Sequence, residues 1–183
     1  MAYTIALSKA WEELKKTTNA INHTVLFLAD EYNVDTQKQE ALSAASGVPA
    51  KEYVSILVLH YLSRALSGLP PVSGEWVSFP QLPGGQGYYP TFQKRVIDRI
   101  LSKYKTAPRA TIKSIERLRA KKTELADCSF VFEVFAGVQV LITLWRGDDE
   151  FGPEANIHFD KSVQDVFCTE DIVVLSEIIA AKI

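Results

Sequence analysis

Three stretches of this chain carry residue types that could do chemistry. The first is acidic, "RGDDEFGPEANIHFD" from Arg146 to Asp160. Asp148, Asp149 and Glu150 are consecutive, and Glu154, His158 and Asp160 fall on one face of an alternating strand. Carboxylates with one imidazole suit a divalent metal such as Mn²⁺, Fe²⁺ or Zn²⁺. The run contains no HExxH, and "DDEFG" lacks the spacing of a calcium loop. The plain alternative is a solvated acidic turn that leads into a strand with one polar face.

The second stretch is "GEWVSFPQLPGGQGYYPTFQKR", Gly74–Arg95. It is rich in glycine and proline, yet it also holds Glu75, Trp76, Phe79, Tyr88 and Tyr89. "PGGQGYYP" is neither a G-x-x-x-x-G-K-[ST] loop nor a G-x-G-x-x-G turn, so a phosphate cradle is not indicated. Its aromatics serve either as core plugs or as the wall of a ligand site. His60 is the third candidate. It lies within an apolar run, where a histidine is either a satisfied core residue or a general base or ligand. No Ser–His–Asp or Cys–His order is legible, because such sites are defined by geometry.

Charge is segregated. Gln93–Lys122 holds eleven Lys/Arg against two carboxylates, a net of +9 inside a chain of net charge −2. Such a block can dock an acidic protein. Nucleic acid is not expected, since the block has few aromatics for stacking and matches no recognition motif.

The elements that must position these residues follow from periodicity. Ser8–Thr18 reads as a short helix with Ser8 as its cap. "TVLFLADEYNVD" reads as two strands around a turn near Ala29–Asp30, and "EALSAAS" is ambiguous, with a third strand slightly less favoured than a loop. Pro49–Ser67 reads as a helix that is apolar almost all round from Tyr53 to Leu62, so it is expected as a buried central helix, with Pro49 in its first turn and Gly68 ending it. Thr91 is placed to cap a helix from Phe92 to about Lys105, and Pro108 opens another. "SFVFEVFAGVQVLITLW" reads as a hairpin turning at Ala136–Gly137, with Glu133 anomalous among apolar neighbours. "EANIHFD" is a further strand, and Thr169 caps a closing helix. Hairpins and helices without strict βαβ alternation predict an α+β fold: a curved antiparallel sheet packed on the buried helix, in a single domain over residues 1–183. Residues 1–22 form its N-terminal helix and connector.

No apolar run is long enough to span a bilayer, and no basic n-region with a long apolar segment opens the chain, so a cytoplasmic protein without membrane contact is expected. Cys128 and Cys168 are far apart and outside any CxxC pair, which favours two reduced thiols.

"LHYL" (Leu59–Leu62), "GEWVSFPQLPGGQGYYPTF", "SFVFEVF", "LWRGDDEFGPEANIHFD" and "TED" (Thr169–Asp171) resemble, in order, a domain-of-unknown-function family of bacteria and archaea, largely anaerobes. The resemblance covers residues 24–183. It implies no assigned activity. Some members of that family join the domain to an iron–sulfur segment; this chain, with two cysteines, is expected to hold no such cluster. The family's acidic stretch resembles G-D-x-E-F-P-P-E-A-x-I-L-F-D. Here Gly152 stands for a proline and His158 for an apolar residue, which leaves Asp148, Glu150, Glu154 and Asp160 as the metal candidates. The expectation is a cytosolic accessory or small-ligand- or cofactor-binding domain of anaerobic metabolism. Its site would lie where the glycine segment, lined by Glu75, Trp76, Phe79, Tyr88 and Tyr89, meets the acidic segment near His60. The alternatives are a metal-dependent hydrolytic enzyme using the acidic residues, and an interaction subunit using the basic helices. Cofactor, substrate and oligomeric state stay open.

Overall fold

The computed structural model describes residues 2–183. The chain is α+β with antiparallel sheets, and it forms two compact units, Met1–Pro71 and Val72–Ile183. The hairpins are distributed over two sheets, one of three strands and one of five.

In the first unit, helix α1 spans Ala2–Thr17 and buries Ala10, Trp11 and Leu14. It begins before Ser8, which is exposed inside it; nothing in residues 3–7 breaks a helix, so propagation continues past the expected cap. Strands β1 (Asn22–Phe27) and β2 (Asp30–Asp35) form a hairpin around Leu28 and Ala29, with Leu28 at φ +56°. The undecided segment is a strand, β3 (Glu40–Ser43), paired to β2. Helix α2 runs Glu52–Ser67 and packs on α1, with Val54–Leu59, Tyr61 and Leu62 buried. It starts later than expected for a physical reason. Ser43 N–H donates to the Val48 carbonyl and Ala50 N–H to Ala41, so residues 48–50 are still held along β3. Gly68, at φ +107°, ends the helix as expected.

The second unit is built on a five-stranded sheet of order β4-β8-β7-β6-β5, comprising β4 (Trp76–Ser78), β5 (Lys121–Thr123), β6 (Cys128–Phe135), β7 (Val138–Trp145) and β8 (Glu154–Asp160). The β6–β7 hairpin turns at Ala136–Gly137, with Gly137 at φ +77°. A register shift between Glu133 and Phe135 resolves the Glu133 anomaly: Val134 and Phe135 are both buried while Glu133 is exposed. One face carries Phe130, Phe132, Val140, Ile142, Ile157 and Phe159, all buried.

The glycine–proline stretch is not a long loop. It forms β4, a 3₁₀ turn (Phe79–Gln81) and helix α3 (Gly85–Phe92). The Gln81 carboxamide oxygen accepts from the Ser78 N–H at 2.7 Å, a reciprocal cap that closes the turn. A π-helical turn, Gln93–Ile97, then leads into α4 (Asp98–Thr106). Helical backbone therefore starts seven residues before Phe92, and Thr91 does not cap it. Two glycines and Pro90 hide this helix from propensity rules, but tertiary contacts override them. Phe79 stacks on Phe92 with ring centroids 3.9 Å apart, and Phe92 meets Phe159 edge-on at 6.5 Å. Helix α5 (Pro108–Arg117) opens at Pro108 as expected. The closing helix α6 (Thr169–Lys182) is preceded by Cys168 as its cap residue. The Thr169 hydroxyl instead donates to the Pro83 carbonyl, tying α6 to the turn before α3.

The adjacent glycines of α3 should respond oppositely to alanine. A Cβ at Gly85 would stand 2.0 Å from the Phe79 carbonyl oxygen, whereas one at Gly87 meets nothing within 4 Å. Gly85→Ala is expected to cost about 3 kcal/mol or more by displacing backbone. Gly87→Ala should stabilise by about 0.5–1 kcal/mol through helix propensity. Urea unfolding of the two variants checks the sign of each.

Candidate functional site

The structure places the expected site residues in separate settings. His60 is half-buried on α2 in the first unit, while the glycine segment and the acidic segment belong to the second. Phe79 is a core plug, Trp76 and Tyr89 are half-buried, and Tyr88 is exposed beside Arg95. Glu75 makes an exposed ion pair with Lys161 at 3.0 Å. The glycine segment does meet the acidic strand, but only at one end: β4 pairs Trp76 with Asp160 and Ser78 with His158. Glu154 is six residues away along β8, about 20 Å, and pairs with Trp145. The aromatic wall and the carboxylates of Glu150 and Glu154 therefore do not form one site.

The four metal candidates likewise do not converge. Among the described residues no group of three His, Cys, Asp or Glu side chains is placed to hold a metal ion. Each carboxylate has a local reason for its position. Asp148 closes its own turn, accepting from the Glu150 and Phe151 N–H groups at 2.9 and 2.7 Å. Those backbone bonds, Phe151's foremost, hold its pKa below the usual carboxylate range. Glu150 and Glu154 are exposed. His158 is half-buried, 3.5 Å from the Thr143 hydroxyl, and burial pushes its pKa down.

Asp160 is different. It is 1% exposed, and its carboxylate accepts five hydrogen bonds. Ser73 N–H and hydroxyl reach Oδ1 at 3.0 Å, Gly74 N–H reaches Oδ2 at 2.7 Å, and Ser162 N–H and hydroxyl reach Oδ1 at 3.0 and 2.6 Å. Desolvation alone would raise its pKa, but the bonds from Ser162, Ser73 and Gly74 outweigh it and hold the value at about 2. With both oxygens bonded and Oδ1 alone taking four of the five donors, Asp160 is a clasp that joins two chain segments.

The feature that sequence reasoning did not assemble is a cleft of about 780 Å³ inside the second unit. One wall is the corner between α4 and α5, with Tyr104, Lys105, Ala107, Pro108, Arg109, Ala110 and Ile112; the other is Arg146, Gly147 and Pro153, where the chain leaves β7 and enters β8. Pro108 makes the corner sharp, because it cannot continue α4 and its fixed φ suits the first turn of α5. The opposite wall is held by backbone. Arg146 N–H donates to the Asp127 carboxylate at 2.8 Å, and Asp148 N–H donates to the Phe151 carbonyl at 2.8 Å. A Cβ at Gly147 would meet Pro153 at 2.8 Å, so only glycine fits that approach. At the base, Tyr104 is 3% exposed. Burial, then the nearby Cys128, push its hydroxyl pKa up; the Arg146 guanidinium, which hydrogen-bonds to it, pulls the other way. Lys105, Arg109 and Arg146 are all exposed at the rim, and among the described residues none is ion-paired with a carboxylate. Apolar walls under three cations that make no side-chain ion pair suit an anion with an apolar body. Lys105 and Arg109 were visible as members of the basic block. Nothing in sequence order showed that Arg146, some forty residues on, would face them.

The remaining candidates are structural. Cys128 is buried and Cys168 exposed, both unpaired. No helix among the described residues is long and apolar enough to cross a membrane.

An α+β chain of hairpin-built antiparallel sheets with a cation-rimmed cleft is the class defined here. Residues 7–182 match the family described as Domain of unknown function (DUF3786), and the chain belongs to that family. Comparison with curated proteins and with solved structures gave no match.

The clasp has a pH signature. Asp160 ionises at about 2 in the folded protein against 3.8 ordinarily. Its contribution is fully present above the unfolded value and lost as pH falls through the folded one. Stability should therefore drop by about 2 kcal/mol between pH 4 and pH 2 from this group. Asp160→Asn should lose about 2–4 kcal/mol at pH 7, and its acid drop should be smaller by that amount. Urea midpoints at stepped pH measure both.

Proposed function

We propose that this chain is a binding domain for a small amphipathic anion, seated in the cleft between the α4–α5 corner and the Arg146–Pro153 connection. The observation that carries the reading is the rim of three cations without carboxylate partners over apolar walls. The volume lies within the range of small-molecule and cofactor sites. Arg109 and Arg146 supply the planar, multi-donor heads suited to a carboxylate, sulfonate or phosphate. Ala107, Pro108, Ala110, Ile112 and Pro153 supply the apolar contact. This keeps the small-ligand or cofactor-binding role expected from the sequence and moves the site away from the glycine segment. An accessory role in metabolism fits such a domain, since the cleft brings together no nucleophile, base and orienting partner.

8-Anilinonaphthalene-1-sulfonate, an aromatic sulfonate, is a direct probe. The folded protein should bind it at one site with a Kd on the order of 10 µM. Arg109→Ala and Arg146→Ala should each weaken binding about tenfold, the loss of one charge-assisted contact, while Lys94→Ala, outside the cleft, should not. Equal affinity across the three variants, at unchanged melting temperature, overturns the proposal.

A further inference from the structure

Arg109 is also the first member of a longer stripe. Arg109, Lys113 and Arg117 recur every four residues along α5, so they leave one face of the helix about 6 Å apart along its axis. All three are exposed, and among the described residues none is in an ion pair. On the other bank of the same cleft stands the 148–152 turn with Asp149 and Glu150, likewise exposed and unpaired. Asp148 locks that turn through its bonds to residues 150 and 151. The locked turn holds Phe151 outward, 68% exposed. Single exposed apolar side chains are common on protein surfaces, but this ring stands beside two unpaired carboxylates, where it adds apolar contact to whatever those charges draw in.

Opposite charges thus flank one cleft without neutralising each other. From this we infer that the face pairs with a second copy of the chain. The acidic turn of each copy lies against the α5 stripe of the other, Asp149 and Glu150 facing Lys113 and Arg117, with Phe151 covered between them. The basic stripe and the acidic turn are neighbours in one unit, so a two-fold axis satisfies both contacts at once and closes the assembly at a dimer. A foreign acidic peptide would engage the stripe but leave Phe151, Asp149 and Glu150 uncovered. A nucleic acid would be repelled by the turn. Exposed ion pairs are individually weak, so the dimer is held by the set of charges together with Phe151 and is sensitive to salt.

Sedimentation equilibrium of the full chain tests this. At about 25 mM salt the mass should rise from 20.4 kDa toward twice that value as protein approaches about 100 µM, and return to monomer at about 500 mM salt. Phe151→Ser, the pair Lys113→Glu with Arg117→Glu, and the pair Asp149→Lys with Glu150→Lys should each weaken association at least tenfold at unchanged melting temperature. Mixing the two charge-reversed pairs should restore a mixed dimer, since each contact is again between opposite signs while neither variant pairs with itself. A chain that stays monomeric at low salt overturns the inference, including one whose stripe binds an acidic peptide. So does a dimer indifferent to these substitutions, or a mixture that fails to associate.

Discussion

The buried carboxylate of Asp160 is the joint on which the second unit depends. It ends β8, and its two oxygens collect the chain entering β4 and the turn leaving β8. A charge at 1% exposure is tolerated only when it is well hydrogen-bonded, and here five donors, four on Oδ1 and one on Oδ2, supply that. The clasp sets where β4 begins and which residues it pairs. From that register follow the positions of Phe79 and Phe92, whose stacked rings set α3 on the sheet. The helical run from Gly85 to Thr106 then carries Tyr104 and Lys105 to the cleft.

The glycine–proline segment owes its composition to this packing. Gly85 passes against the Phe79 carbonyl where no side chain fits, and Gly84 adopts φ +71° to enter the helix. Pro80 sits in the first turn of the 3₁₀ segment. Ligand loops and tight scaffolds both call for glycine, because both need backbone to approach closely. Here the approaching group is the protein's own carbonyl.

The cleft forms instead at a corner and a turn. A proline between two helices and a glycine after a strand bring two backbone segments together with cations on both, and the cleft lies between them. The charge segregation of the sequence has its structural meaning here. Part of the basic block becomes the α5 face and one cleft wall, while Arg95 and Lys103 tie to α6, and the acidic run becomes the turn on the opposite bank.

Legible without any coordinates are the α+β class, the buried α2 with its Gly68 stop, the β6–β7 hairpin and its turn, the alternation of β8, the start of α5 and the two charge blocks. Each is written in local periodicity or in a residue with a fixed backbone preference. Tertiary structure alone decided the rest. It made α3 a helix despite its glycines and Pro90, because burial of Phe79 and Phe92 outweighs propensity. It delayed α2, because residues 48–50 bond to β3 first. It set Arg146 across from Arg109. Which side chains meet across a sheet or a cleft depends on register and chain reversal, and neither is encoded at any single position.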